Sequence, residues 1–323
     1  MEILLTIAIP TYNRVEKLKS GLQNLVRQTA GKPVELLVSD NASQDDTQAF
    51  MEAFCREHPE VSYVRNPENI GPDRNFLNCY YRASGEYVLL LGDDDLLLPG
   101  TVDVILQTLE SKPVFVYQNS SLLLSEDPLE YAKPDFPEGD PIVYTCRDDI
   151  VRQMGIMITF MSSFILRNDL VRAIPDKERY IGTYFIQSHI ALSTLAAEGE
   201  YVFITRNCVV ATGNETVPYD VYFVWGRMYA NLLKETAVAA GVDADLVRRI
   251  HRKDLRGVIF GFVKNYRISC PESKHWNRAC IWEQVKPFPS LYPRYLTALF
   301  SPRFLLIGIT KLTRGIRELL KKA

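Results

Sequence analysis

Four continuous apolar runs, each followed by a polar break, dominate the first 95 residues of this chain. Residues 3–9, Ile-Leu-Leu-Thr-Ile-Ala-Ile, form the first run. Pro10-Thr-Tyr-Asn-Arg14 breaks it ahead of a helix with Leu18, Leu22 and Leu25 on one face. Residues 34–39 and 61–64 repeat the apolar run, each with a polar loop and a helix behind it, and residues 87–91 supply the fourth. Runs of this kind are strands buried on both faces of a parallel sheet. Their alternation with helices makes the fold α/β, a Rossmann-like, mostly parallel sheet with helices on both faces. Open sheets of that type bind ligands beyond the carboxyl ends of their strands. Those ends are where the polar residues collect: 10–14, 40–47, 65–75 and 92–95.

The last of these loops is Gly92-Asp93-Asp94-Asp95. Three adjacent carboxylates at the end of a buried strand repel one another and need compensation. A divalent cation with hard oxygen ligands, Mg2+ or Mn2+, would provide it and would also bridge phosphates of a nucleotide. The alternative is a solvated acidic turn capping the helix that starts near Pro99. No G-x-G-x-x-G or G-x-x-x-x-G-K-[ST] stands at any strand end, which favours metal bridging as the route to phosphate.

Beyond residue 100 the pattern predicts a helix over 102–109 and a strand over 113–117. A polar, Pro-rich surface loop or lid follows over 118–141. Strand-like runs occupy 156–161 and 163–166, a helix runs from about 184 to 197, and further strands cover 201–204 and 208–211. Helices follow at about 219–240 and 243–265. The expected division is an α/β domain over 1–215, with a first half to about 110 and a second half beyond, and a helical extension over 216–323. Its tail places Leu305, Ile309, Leu312, Ile316 and Leu319 on one helical face. Residues 301–323 carry six Lys/Arg and one Glu, against a net charge of −2 for all 323 residues. A basic amphipathic helix of this kind suits an anionic membrane surface through residues 303–323, or a docked helix with a solvated basic face. The near-neutral charge gives no footprint for nucleic acid. Six cysteines in no C-x-x-C or zinc spacing, together with an N-terminus that lacks a leader pattern, suggest reduced thiols in the cytoplasm.

Four motifs in order resemble the family 2 glycosyltransferases of the GT-A fold: Thr6-Ile-Ala-Ile-Pro-Thr-Tyr-Asn-Arg14, Val38-Ser-Asp-Asn-Ala-Ser-Gln-Asp-Asp-Thr47, Asn69-Ile-Gly-Pro-Asp-Arg-Asn75 and Gly92-Asp-Asp-Asp95 with Pro99-Gly100. The form of the last two is similar to bacterial transferases of the abequosyltransferase type. The resemblance implies inverting transfer from a nucleotide-sugar donor, with Mn2+ or Mg2+ on the diphosphate. It places Pro10, Thr11, Tyr12 and Arg14 at the nucleotide and Asp40 at the base, with Asn69 and Arg74 on the donor side. Gly92 stands where the family's usual form carries an Asp, which shifts the pattern. Asp93 then falls in the ribose or metal shell and Asp94 becomes the leading metal ligand. Asp95 is a second metal-site or capping residue, able to exchange roles with Asp94.

Transfer also needs a general base for the acceptor hydroxyl. The family's Glu-Asp pair falls on Gln187-Ser188, and neither is a base. His189 is the adjacent candidate, and Asp176, Glu178, Glu215 and Asp220 are further carboxylates in the domain's second, acceptor half or beyond it. The expected acceptor is a saccharide, lipid-linked, for O-antigen, capsule or exopolysaccharide, with the protein peripheral on the cytoplasmic face of the inner membrane. Two other readings compete: a nucleotidyltransferase, which would want a Gly-rich first loop, and an inactive sugar-nucleotide-binding or scaffold protein, suggested by the missing Glu-Asp pair.

Overall fold

A computed structural model describes residues 2–123, 131–212, 219–270 and 277–311. The chain divides into two compact units, Met1–Glu215 with Thr236–Val242, and Thr216–Glu235 with Asp243–Ala323.

The larger unit is built on one mixed sheet. Its strands are β1 (Leu5–Thr11), β2 (Val34–Asp40), β3 (Val61–Arg65), β4 (Tyr87–Leu90), β5 (Leu96–Leu97), β6 (Phe115–Leu122), β7 (Ile142–Tyr144), β8 (Phe164–Arg167) and β9 (Tyr201–Ala211). They lie in the order β3-β2-β1-β4-β8-β6-β9-β5, with β7 also on β9. The long ladders are parallel: β2 on β1, β1 on β4, β3 on β2 and β6 on β9. The antiparallel pairings, such as β8 against β4 and β6, are two or three residues long. Helices α1 (Val15–Thr29), α2 (Thr47–Glu57), α3 (Pro72–Arg82), α4 (Thr101–Leu109), α5 (Arg147–Met154), α6 (Asn168–Ala173) and α7 (Ile186–Thr194) complete the unit. All seven residues of β1 and all four of β4 are buried. Their side chains join Leu18, Leu22 and Leu25 of α1 in the core, and removal of this apolar surface from water is the main favourable term.

Three local expectations need correction. The apolar residues 156–161 do not extend as a strand; they form 3-10 turns at Gly155–Thr159 and Met161–Ser163 that carry Ser162 under the β4 end. Residues 201–211 are one strand whose pairing with β6 shifts register at Asn119, not two strands. The expected loop over 118–141 begins later, because residues 118–122 continue β6 along β9, and its described part beyond residue 131 is strapped to β6. Asn119 trades side-chain hydrogen bonds with the Phe136 backbone, and Ser120 donates to Asp135 at 2.7 Å.

The smaller unit contains α8 (Tyr229–Asn231), α9 (Ala244–Arg256), α10 (Val258–Ser269), α11 (Arg278–Val285) and α12 (Tyr292–Phe300). The expected helix over 243–265 is broken at Gly257, whose φ of −107° and ψ of −98° are not helical. Asp254 is buried and accepts from the Tyr229 hydroxyl at 2.6 Å. Among the described residues no helix is long and apolar enough to cross a membrane. The tail positions Leu312, Arg314, Ile316, Arg317, Leu319 and Lys321 lie outside the described residues, as does Glu215.

Candidate active site

Parallel pairing sets the ends of β1, β2, β3 and β4 along one edge, and four loops meet there. The first continues β1 through Thr11, Tyr12, Asn13 and Arg14. Thr11 is buried, and its hydroxyl donates to Asp93 Oδ2 at 2.7 Å. Arg14 donates through one nitrogen, Nη1, to Asp93 Oδ1 at 3.1 Å and Asp94 Oδ2 at 3.2 Å. Lys17, one turn into α1, reaches Asp94 Oδ2 at 3.5 Å. Pro10 is buried and the Tyr12 ring is exposed.

The second loop joins β2 to α2. Ser43 does not cap α2; its Oγ accepts from Asn13 N and its own N donates to Asp40 Oδ1. Asp45 instead accepts from Thr47 N at the start of α2 and from Val15 N at the start of α1. One carboxylate thus joins the two loops at the helix ends where N–H groups lack intrahelical partners.

Asp40 is fully buried. Besides Ser43 N, it accepts from the Tyr63 hydroxyl at 2.8 Å and from Arg65 Nη1 at 2.7 Å. Both of its oxygens are engaged by protein groups, and its work is to hold Tyr63 and Arg65 at the end of β3. Amides fill the space behind. Asn41 donates to Asn69, Asn66 donates to Asn41 and Asn75, and Ser39 donates to Asn75. Satisfied buried networks of this kind fix one loop geometry. Asn69 and Arg74 stand exposed at the rim.

The three adjacent aspartates meet three different environments. Asp93 is bonded to Thr11 and Arg14, yet burial raises its pKa, with Asp94 adding to the rise. Asp94 is partly exposed, with Arg14 and Lys17 as cationic neighbours. Asp95 turns into the protein, where Ser162 donates to its Oδ2 at 2.5 Å and Thr212 N approaches Oδ1 at 3.4 Å. Burial pushes Asp95 up to about 7, against the Ser162 hydrogen bond. Ser162 Oγ also accepts from Gly92 N. The glycine has a steric cause: a Cβ at residue 92 would lie 2.6 Å from Asp95 Oδ2.

Oδ1 of Asp93 and Oδ2 of Asp94 therefore converge on a single positive nitrogen, as oxygens sharing a cation must. Among the described residues no three His, Cys, Asp or Glu side chains converge in this way. Two carboxylates suit a cation that takes its other ligands from phosphate and water. The pair fits Mg2+ or Mn2+ on a diphosphate and does not make an all-protein cage.

His189, the base candidate of the sequence, is enclosed. Its ring is 3% exposed, stacks on Tyr180 with centroids 4.2 Å apart, and has Nδ1 2.7 Å from the Thr236 hydroxyl. Burial pushes its pKa down to about 4. Gln187 and Ser188 are also buried. Asp176 and Glu178 are exposed at the turn before α7. Asp220 accepts from the backbone of Tyr222 and Phe223 in the smaller unit. Sequence reasoning missed Lys17, Tyr63, Arg65 and Ser162. Lys17 was legible, since i,i+3 spacing puts it on the face of Arg14. Ser162 carries no sequence signal, because a turn that had read as strand delivers it.

The family model for glycosyl transferase family 2 matches residues 6–174. The abequosyltransferase RfbV of Salmonella typhimurium is 28% identical over 225 residues, which is 66% of this chain and 67% of that protein. A GalNAc(5)-diNAcBac-PP-undecaprenol beta-1,3-glucosyltransferase of Campylobacter jejuni is 32% identical over 116 residues, 36% of this chain and 37% of that protein. Among solved structures, S. aureus TarS 1-349 in complex with UDP-GlcNAc superposes with a TM-score of 0.58 at 15% identity, covering 92% of this chain and 80% of that chain. A second structure of S. aureus TarS gives a TM-score of 0.65 at 17% identity, over 92% of this chain and 52% of that one. At such identities the likeness to TarS is one of fold.

Proposed function

The chain belongs to glycosyl transferase family 2, and we propose that it moves a sugar, with inversion, from a nucleotide-activated donor to a lipid-linked saccharide acceptor in O-antigen, capsule or exopolysaccharide synthesis. The observation that carries this reading is the convergence of Asp93 and Asp94 on one cation, at the sheet edge shared by Thr11, Asp40 and Arg65. The names of two relatives, an abequosyltransferase and a transferase named for an undecaprenol-linked substrate, support the substrate class.

In this reading Asp94, with Asp93 beside it, holds Mn2+ or Mg2+. The metal would offset charge gathering on the departing nucleoside diphosphate. Thr11 and Arg14 fix the Asp93 carboxylate, and Arg14 and Lys17 bring positive charge to the diphosphate. A guanidinium suits paired phosphate oxygens in particular. Pro10 and Tyr12 border the nucleotide, Asp40 presents Tyr63 and Arg65 toward the base, and Asn69 and Arg74 line the donor side. Asp95, with both oxygens already engaged, holds the turn through Ser162.

The reading extends to an anionic membrane surface met through residues 303–323, with the protein peripheral on the cytoplasmic face of the inner membrane. Leu296, Phe300, Phe304, Leu305 and Ile309 are exposed in the smaller unit, Phe304 at 71%. In the sequence they lead into a tail rich in Lys and Arg. Removing residues 303–323 should reduce flotation with vesicles containing phosphatidylglycerol; equal flotation would refute the surface.

A thermal-shift panel of UDP, GDP, CDP and dTDP with Mn2+ tests the donor site, since a ligand that binds the native state raises apparent stability. One of the four should raise Tm in a metal-dependent way. No shift with any of them would refute the donor reading.

A further inference from the structure

The loop between Tyr180 and α7 holds an exposed aromatic ring on a backbone that its residue type disfavours. Tyr184 has φ +63°, in the left-handed region that a bulky L residue rarely occupies, and is 45% exposed. Outliers of this kind persist where the surroundings over-determine them and cluster at ligand sites. The over-determination comes from Asp73 in the first turn of α3. Its carboxylate, 9% exposed, accepts from Gly182 N at 2.6 Å and also from Tyr184 N. Thr183 adds two local bonds, its hydroxyl donating to Tyr180 O and accepting from Phe185 N. Tyr180 is itself stacked on the buried His189.

Asp73 lies in the same segment as Asn69 and Arg74 on the donor rim. At the other end of the loop, Gln187 of α7 donates to Thr159 O, three residues before Ser162. The exposed ring thus stands on a loop tied at one end to the donor rim and at the other to the turn that supports Asp95.

We propose that Tyr184 is a platform for a pyranose ring of the saccharide acceptor, and that Asp73 is the positioning residue that sets its backbone. A pyranose presents an apolar C–H face edged by hydroxyls, which suits a flat amphipathic ring. His189 then acts by supporting the loop through Tyr180. The inference rests on the transferase reading above.

Saturation-transfer NMR with the methyl α- and β-glycosides of glucose, galactose, mannose and N-acetylglucosamine provides the test. With wild-type protein at least one glycoside should show transfer to the protons of one ring face. Tyr184→Ala should cut that signal at least fivefold and Tyr184→Trp should retain it. Asp73→Ala should lower it with the tyrosine still present, while Asp73→Asn, which keeps one acceptor oxygen, restores part of it. Absence of transfer to the wild-type protein, or equal transfer to wild type and Tyr184→Ala, overturns the platform. The nucleotide panel separates the two ideas: a nucleotide-induced rise in Tm alongside a Tyr184-independent signal removes the platform and leaves the transferase reading standing.

Discussion

Replacing Asp95 with Asn should stabilise the metal-free protein above neutral pH and destabilise it by about 1–2 kcal/mol near pH 4, where no ionisation penalty offsets the altered hydrogen bonding. Asp95 is almost wholly enclosed, and burial lifts its pKa from 3.8 to about 7. A carboxyl whose folded pKa lies above its unfolded value contributes stability that is complete below pH 3.8 and is lost as pH rises through about 7. The separation of about three units, at about 1.4 kcal/mol each, puts an upper bound of about 4 kcal/mol on the loss at pH 8. Asn cannot ionise and so avoids that loss. With its oxygen toward the Ser162 hydroxyl, its Nδ2 would face Thr212 N, and two donors in contact cost about 1–2 kcal/mol of the gain. A net advantage of about 2 kcal/mol at pH 8 is expected. Urea denaturation with EDTA present, run on both proteins from pH 4 to 8.5, measures the difference directly. The raised pKa of Asp73 cancels between the two proteins, and loss of the Asp95 charge also relieves Asp93 and Asp94, which adds to the gain at high pH. A difference that does not grow with pH, or an Asn variant less stable than wild type at pH 8, would refute the assignment of Asp95 as a carboxyl whose burial raises its pKa in the acidic turn.

Other substitutions test neighbouring parts of the account. Gly92→Ala places a Cβ 2.6 Å from Asp95 Oδ2 and should cost about 1–3 kcal/mol in the same denaturation assay; a neutral effect would remove the steric reason for glycine. Asp40→Ala leaves the Tyr63 hydroxyl and Arg65 without their buried acceptor and should destabilise by about 3 kcal/mol or more. The same variant should weaken nucleotide binding, whereas unchanged affinity would free Asp40 from the base-side role. In the smaller unit, burial raises Asp254 to about 6, so its contribution is complete below pH 3.8 and is lost as pH rises through about 6. Asp254→Asn, which keeps an acceptor for Tyr229, should flatten that part of the stability profile; an unaltered profile measured by denaturation would contradict it.

The strand–helix alternation was legible because strands buried on both faces read as unbroken apolar runs, and the polar residues at their ends announced the site. The second half was harder to read. Residues 156–161 have the composition of a buried strand, but the chain there turns in 3-10 steps to bring Ser162 beneath Gly92, a tertiary demand that periodicity does not record. Asp40 stood out as an acidic residue at a strand end, while its contacts with Tyr63 and Arg65 became visible only with the β2–β3 register, which sets Asp40 opposite Arg65. His189 looked available because a histidine on a mixed helix carries no sign of its own burial. Both faces of α7 turn out to be covered, and α7 reads as a buried element only once its neighbours are in place.

The measurement that bears most directly on the central claim is release of nucleoside diphosphate from UDP-, GDP-, CDP- and dTDP-sugars. It is followed with Mn2+ and with EDTA, for the wild-type protein and for Asp94→Ala. Asp94 is the partly exposed member of the acidic turn, so its removal should leave the fold and Tm intact. The account predicts release from at least one donor with Mn2+, loss of that release with EDTA, and a fall of at least a hundredfold in Asp94→Ala, about 2.7 kcal/mol of transition-state stabilisation. Release at equal rates from wild type and Asp94→Ala, or release indifferent to EDTA, would contradict it.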